Sequence, residues 1–350
     1  MRKIIEYKWD GLLPIWNDLY ERNSSATPFQ SYDFLTFTGK GKPYRKDLFR
    51  LVGVKEWNLV LIDDDTPIAI APLLIKKVEK SYTVYLRGHY TVANELDFIY
   101  ATWSFDDFKF LMDYIYSTLE NPTLVFDRVS ERTSTCAYLK DYLSPKKIEE
   151  HKCFSIPIKK SYDEWRGTLG RSARQNLSNH YHRLERDNLQ WSVCFCSGER
   201  MERCLCKKLM WVYADRFIIK NNCNFGILTR LATAMLRKYL LQDKMTRWMN
   251  KGDGNFHAVL YIEGDVAAFV SGLCCRDKRI ILSRLAINTQ YGKYSPGGIL
   301  LSSVIKHIID ENTNGTMDIR ELDLSQGGDG GMCYKKAYGG EPHFNYVFYG

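Results

Sequence analysis

The sequence lacks any apolar run long enough to cross a bilayer, which takes roughly 20 residues. Its longest stretches, Ile68 to Ile75 and Ile299 to Ile309, are interrupted or too short. No transmembrane segment is expected, which leaves at most an association with a membrane surface. The start, MRKIIEYKWDGLLPIW, is broken by Lys8 and Asp10 before a signal-peptide core could form, so a cytoplasmic location is expected. A disordered composition is also missing, because hydrophobic residues make up 45% and charged residues 26% of the chain, ordinary globular values. Cysteine is plentiful, at ten residues, but zinc-type spacing is not. Cys194 with Cys196, and Cys204 with Cys206, form two C-x-C pairs, whereas zinc sites favour two to four residues between paired cysteines. No metal is expected, and the thiols are expected to be reduced and buried.

What the chain does have is length, aromatics and positive charge. At 350 residues it exceeds what one core usually organises, which predicts two domains. The aromatic share is 14%, with 23 tyrosines, and the formal charge is +8, a balance that favours an anionic ligand.

Two stretches of similar pattern lie about 200 residues apart. In the first, Leu59 to Ile62 and Ile68 to Ile75 flank the polar turn Asp63-Asp64-Asp65-Thr66; in the second, Ala258 to Ile262 and Val266 to Leu273 flank Glu263-Gly264-Asp265. Each reads as a β-hairpin. A strand (Thr83 to Gly88), a helix (about Phe105 to Leu119) and a strand (Leu124 to Phe126) follow the first; a strand (Ile280 to Asn288), a helix (Gly297 to about Glu311) and a strand (Asp318 to Leu324) follow the second. Helical spacing is clear where Leu300, Val304 and Ile308 recur every four residues beside Leu301 and Ile305. The pattern predicts a mixed α/β fold made of two similar halves.

Between the halves, Ser161-Tyr162-Asp163-Glu164 matches a capping box, and one long helix is expected from there to Asn188. Arg171, Arg174, His182 and Arg186 fall on one side of it, with Leu169, Leu177 and Leu184 on the other. The basic side is read either as a solvated face or as an anion-binding wall. The expected boundaries are residues 1–155 for the first half, 156–189 for the linking basic helix and 190–350 for the second half.

Chemistry is expected in the second half. The strand ending near Asn288 leads through Tyr291-Gly292-Lys293-Tyr294-Ser295-Pro296-Gly297-Gly298 into an amphipathic helix. A strand, a glycine-containing turn and a helix N-terminus together make an anion cradle, since unsatisfied amides and the positive end of the helix dipole face one spot. Pro296 loses no hydrogen bond at a helix start, and the glycines allow a ligand to approach the backbone.

This strand-turn-helix-strand run, followed by Cys333-Tyr334-Lys335-Lys336-Ala337-Tyr338-Gly339-Gly340, resembles the C-terminal half of GNAT acyltransferases. The Tyr-Ser-Pro-Gly turn at Tyr294 to Gly297, then Asp323, Gly327 or Gly328, and the Tyr334-Lys335 pair are similar to a two-domain group that includes CelD-like cellulose-biosynthesis acetyltransferases. That group is related to the FemAB-like peptidyltransferases. The Pro28 to Leu35 segment and the basic helix fit the same group. Two features depart from it: the glycine-rich stretch Gly327 to Met332, and the absence of the superfamily's strict phosphate motif, for which Gln290 is the nearest candidate.

The resemblance implies a tandem GNAT-like fold and an N- or O-acyltransferase, with a coenzyme A thioester as co-substrate and no metal. The leading expectation for the acceptor, which the resemblance does not itself supply, is an amine or hydroxyl of a sugar or cell-envelope precursor. Leu285 and Ile287 would serve the acyl carbonyl through backbone amides, with Tyr294, Ser295, Gly297 and Gly298 around the pyrophosphate and Arg171 and Arg174 as further donor contacts. Tyr334 would protonate the departing thiolate, and Lys335 would touch a phosphate or the oxyanion. His257, Asp97 and Asp323 (or Asp329) are candidates for remaining catalytic roles, the general base among them. Two alternatives stay open: a FemAB-like enzyme using aminoacyl-tRNA, the one reading in which nucleic acid is a partner, and a non-catalytic protein binding partners in a polysaccharide-synthesis complex.

Overall fold

The structure, a computed structural model, describes residues 1–39, 53–89, 93–143, 147–220, 231, 235, 254–326 and 332–350. The chain forms two compact units, Met1–Cys153 with His343–Gly350, and Phe154–Pro342. The first contains β1 (Lys3–Tyr7), α1 (Leu13–Arg22), α2 (Tyr32–Gly39), β2 (Val54–Asp63), β3 (Thr66–Val78), β4 (Ser81–Leu86), β5 (Ile99–Tyr100), α3 (Phe105–Thr118), β6 (Thr123–Ser130) and α4 (Ser134–Leu143). The boundary falls within β7 (Lys147–Pro157). The second unit contains α5 (Tyr162–Thr168), α6 (Arg171–Arg186), β8 (Trp191–Ser197), α7 (Arg203–Lys220), β9 (Asn255–Ile262), β10 (Asp265–Cys274), β11 (Arg279–Ile287), α8 (Pro296–Thr313), β12 (Glu321–Gln326) and α9 (Met332–Ala337). The last strand, β13 (Glu341–Tyr349), pairs antiparallel with β6 of the first unit.

The two units repeat one strand order, β1-β2-β3-β4-β6 in the first and β8-β9-β10-β11-β12 in the second. In each, a hairpin pairs antiparallel with the next strand, and a helical crossover then delivers a parallel strand: β4 with β6, β11 with β12. Both hairpins turn on two residues of positive φ, Asp64 (44°) with Asp65 (65°), and Glu263 (51°) with Gly264 (79°). That is the type I′ geometry whose twist matches the flanking strands. The fold is therefore mixed α/β, in two similar halves.

The basic segment differs from the expected single helix. Leu169 and Gly170 are extended, with ψ of 146° and 154°, and separate α5 from α6. Gly167 and Gly170 weaken the helix there, and the extended backbone lets Leu169 reach the core, where it is 4% exposed. Only half of the expected capping box forms. Ser161 Oγ accepts from Glu164 N at 3.1 Å, while the Glu164 carboxylate accepts from Lys160 N at 3.2 Å. Nor is α6 a free connector, because Leu177 and Leu184 join the core of the second unit with Leu300, Val304 and Ile308 of α8. A separate core on the other face of that unit's sheet holds Leu209 and Met210 of α7 against Val259, Phe269 and Ala286.

Thiol burial also differs from expectation. Cys206 is buried on α7, but Cys194 and Cys204 are exposed. Cys194 sits on β8, the last strand in the order of its unit, where one edge has no neighbouring strand among the described residues. Among the described residues no group of three or more His, Cys, Asp or Glu is placed to hold a metal ion. Among them, too, no helix is long and apolar enough to cross a membrane.

Candidate active site

The fourth and fifth strands of the second unit pair over a short ladder. The parallel ladder of β11 with β12 covers Arg279–Ile281 against Glu321–Asp323. Past it, Ser325 adopts a left-handed conformation (φ 59°), and its Oγ donates to Leu282 O at 2.7 Å. β11 carries an extra residue, Ser283, at the point where its register against β10 shifts between Ser271 and Gly272. Such a bulge re-aims the side chains that follow it. Ile280 and Leu282 before it, and Leu285 and Ile287 after it, all pack toward α8, while Ala286 faces α7.

The turn after β11 is a 3₁₀ segment, Thr289–Tyr294, closed by Ser295 in the left-handed region (φ 53°, ψ 55°). Ser295 O accepts from Gly298 N at 2.9 Å, and Pro296 starts α8. A β-carbon on Gly297 would stand 3.2 Å from Ile287 Cγ2, so the helix start is seated closely on the end of β11. Tyr294 is buried, and its hydroxyl donates to Asp187 at 2.8 Å, with Lys293 Nζ on the same carboxylate at 3.2 Å. Donation from Arg186, Tyr294 and Lys293 holds the Asp187 carboxyl down at about 2.

α6 does reach this turn, but not through the expected arginines. Arg183 donates to Lys293 O at 2.9 Å, and His180 packs against Gly298 beside the Tyr338 hydroxyl. Burial and the nearby Arg183 push the pKa of His180 down, favouring a neutral ring. Arg171 is exposed, and Arg174 is turned back to Gly167 O at 3.2 Å. Arg171 lies twelve residues before Arg183, about 18 Å along a helix. The stripe His180, Arg183, Asp187, spaced three and four apart, was the signal in the sequence for which part of α6 meets the turn.

α9 is tied to the end of β12 through Lys335. Tyr334 is 39% exposed, yet its hydroxyl lies in desolvating surroundings that push its pKa up, against the opposing pull of Arg216. Arg216, on α7, also donates through Nη1 to Leu285 O of β11, which ties the strand, the arginine and the tyrosine together. Sequence reasoning missed Arg216 because nothing local marks an arginine near the C-terminal end of an ordinary helix.

Three other expected site residues are framework groups as placed. Lys335 is 4% exposed, and its ammonium donates to Leu324 O, Ser325 O and Gln326 O at 2.5, 2.8 and 3.0 Å, capping the end of β12. Asp323 is 2% exposed, paired with Arg279 at 3.5 Å and accepting from Ser325 N at 2.6 Å. His257, 1% exposed inside β9, shares a 2.9 Å hydrogen bond with Ser271 Oγ of β10. Buried ions persist where such partners surround them, and here those partners are backbone and neighbouring strands. Gln290 is exposed, with its backbone N–H on Asn288. Gly327, Gly328 and Asp329 lie outside the described residues.

The equivalent place in the first unit is occupied by its own chain. The β4 with β6 ladder also covers three pairs, Thr83–Tyr85 against Thr123–Val125, and past it Arg128 is left-handed at φ 59°. There Leu96 N donates to Arg128 O at 3.0 Å, and the Arg128 guanidinium donates to Ala93 O at 2.7 Å and to His89 O. Leu96 and Phe98 are buried, and a β-carbon on Gly88 would overlap the Leu96 side chain. Asp97, in the same segment, accepts from Phe98 N at 2.7 Å and the Tyr100 hydroxyl at 3.2 Å, and burial raises its pKa to about 7.

A bulged strand that leads through a tight turn into a helix N-terminus can receive an anion at that turn. Residues 171–336 match the family model of the acetyltransferase (GNAT) domain. The match begins at the first residue of α6 and ends in α9, so it takes in the basic helix together with the turn and Tyr334. A conserved protein of unknown function from Bacteroides thetaiotaomicron has a similar fold, with a TM-score of 0.52 and 12% identity over 100% of this chain and 99% of that one. FemX is similar at a TM-score of 0.51 and 11% identity, over 99% of this chain and 96% of its own. A tandem GNAT protein from the clavulanic acid biosynthesis pathway gives 0.49 and 11%, over 100% and 98%. Comparison with curated proteins by sequence gave no match. At these identities the first two likenesses speak for the fold alone.

Proposed function

We propose that the second unit is an acyltransferase that takes an acyl group from acyl-coenzyme A and passes it to an amine or hydroxyl of a sugar or cell-envelope precursor. The observation that carries this reading is a difference between the two units: each has a parallel pair whose ladder ends after three residue pairs, and among the described residues only in the first is the place beyond it filled by another segment of the chain, residues 93–98. An amine or hydroxyl is the acceptor type because acyl transfer needs a nucleophile that attacks the thioester carbonyl. The pyrophosphate of coenzyme A would lie at the turn, where the N–H groups at the start of α8 and the helix dipole favour an anion. The thioester carbonyl would face the backbone of β11 near Leu285 and Ile287. The acceptor attacks that carbonyl, the oxyanion collapses, and the carbon–sulfur bond breaks. Tyr334 would give its proton to the departing thiolate, and the proton that the acceptor loses on attack would return the phenolate to a phenol by way of solvent.

Calorimetry with coenzyme A and acetyl-coenzyme A tests this. One site per chain is expected, with binding lost on Gly297→Val while circular dichroism and thermal unfolding report an intact fold. Two equal sites would refute the asymmetry. No binding of either compound, with RNase-sensitive transfer from charged tRNA, would move the donor to aminoacyl-tRNA.

A further inference from the structure

A cavity of about 670 Å³ opens on the second unit between α5, α6, β8 and the stretch of α8 from Ser302 to Asp310. Lys306, on its wall, lies eight residues past Gly298, about 12 Å along the helix. Its size falls in the range of small-molecule sites, roughly 300–1,000 Å³.

Five rings line it: Tyr162, Tyr181, Trp191, Phe195 and His307. Tyr181 and Trp191 have centroids 5.5 Å apart at 52°, and Phe195 stacks on His307 at 3.8 Å and 12°. The Tyr181 hydroxyl is fixed by Ser302 Oγ at 2.7 Å, so that ring is held in place before any ligand arrives. Trp191 is 39% exposed and offers an open face at the rim. Such rings prefer offset or edge-on partners, which suits a flat aromatic body.

The charges in the wall are uneven. Lys306 holds Asp310 at 2.5 Å, which balances both. Burial favours the neutral form of His307, and His182 lies 3.1 Å from its own partner, Glu185. Arg166 is left as the excess charge, since it gives one N–H to the neutral Ser178 Oγ at 2.7 Å and a guanidinium has five to give. A cation would find the one carboxylate on the wall already held. A carboxylate would find Arg166 with the geometry that arginine forks favour.

We propose that this cavity binds a small aromatic monoanion, an aryl carboxylate in its simplest form, with its ring among Trp191 and Tyr181 and its carboxylate on Arg166. This site stands independently of the acyl-transfer reading. Calorimetry with indole-3-acetate, against neutral indole and cationic tryptamine, tests it on the full chain. Indole-3-acetate is expected to bind saturably and about tenfold or more tighter than either analogue. Trp191→Ala and Arg166→Gln should each weaken it about tenfold, while Gly297→Val and added coenzyme A leave it unchanged. Because Trp191 is at the rim, its alanine variant should keep the thermal unfolding midpoint, which guards the comparison. Equal affinity for the three compounds, no saturable binding of indole-3-acetate, indifference to both substitutions, or displacement by coenzyme A would each overturn the proposal.

Discussion

The Tyr338 hydroxyl lies against the backbone of Gly298, in the space that any β-carbon there would enter, and His180 flanks the same point. The first turn of α8 is thereby clamped by α6 and by the turn that follows α9. Gly298→Ala should destabilise the second unit by about 1–3 kcal/mol, the range for forcing an extra carbon into a packed site. Tyr338→Phe in the alanine background removes the overlapping oxygen and should restore part of that loss. Urea unfolding of the two single variants and the double variant reads the coupling; additive losses would show that the two residues do not meet.

Asp97 gives a pH-dependent stability of definite sign. Its carboxyl has a folded pKa of about 7, raised by burial, whereas an unfolded aspartate titrates near 4. Below about pH 4 both states are protonated. Between about 4 and 7 the folded state keeps a proton that the unfolded state has released, so this group's contribution to stability declines as pH rises and levels off above the folded value. Asp97→Asn is neutral throughout and keeps an oxygen to accept from Phe98 N. Its advantage over the parent in thermal unfolding should therefore grow from pH 5 to pH 8, by an amount on the order of a few kcal/mol. A difference that stays constant over that range would mean that Asp97 is ionised in the fold.

The local signals were legible where one element settles its own geometry. Both hairpins, the crossover helices and the Leu300, Val304, Ile308 stripe follow from periodicity and turn residues, and so does the order that makes the halves alike. What could not be read was set by distant partners. Lys335 looks like any exposed lysine until β12 ends with three carbonyls beside it. The break at Leu169–Gly170 depends on a core that Leu169 enters only because α8 lies opposite. Arg216 gains a role from Leu285, 69 residues further on, and Arg183 from a carbonyl 110 residues away. The last strand, β13, gives no local sign that it belongs with residues 1–153. Pairing partners in a sheet are fixed by non-local packing, so strand existence is far easier to read than strand placement.

Tyr334 is where fold and chemistry meet most directly. It sits on α9, and Lys335 anchors the same short helix to the end of β12, so the tyrosine is presented on a fixed support. An ordinary tyrosine is protonated over the neutral range; burial pushes the pKa of this hydroxyl up while Arg216 pulls it down, so its strength as an acid depends on Arg216 offsetting the burial. Tyr334→Phe removes only that hydroxyl. If it protonates the departing thiolate, kcat should fall by roughly 10²-fold or more while the dissociation constant for coenzyme A stays within about twofold, the pattern for an interaction made in the transition state alone. Arg216→Lys gives a second reading of the same arrangement. It keeps the charge but not the fork that holds Leu285 O, so it should lower kcat with coenzyme A binding preserved. Steady-state rates for both variants, alongside calorimetric affinities, decide the matter. A Tyr334→Phe enzyme that turns over at the parent rate would mean that the thiolate takes its proton from solvent or from the acceptor.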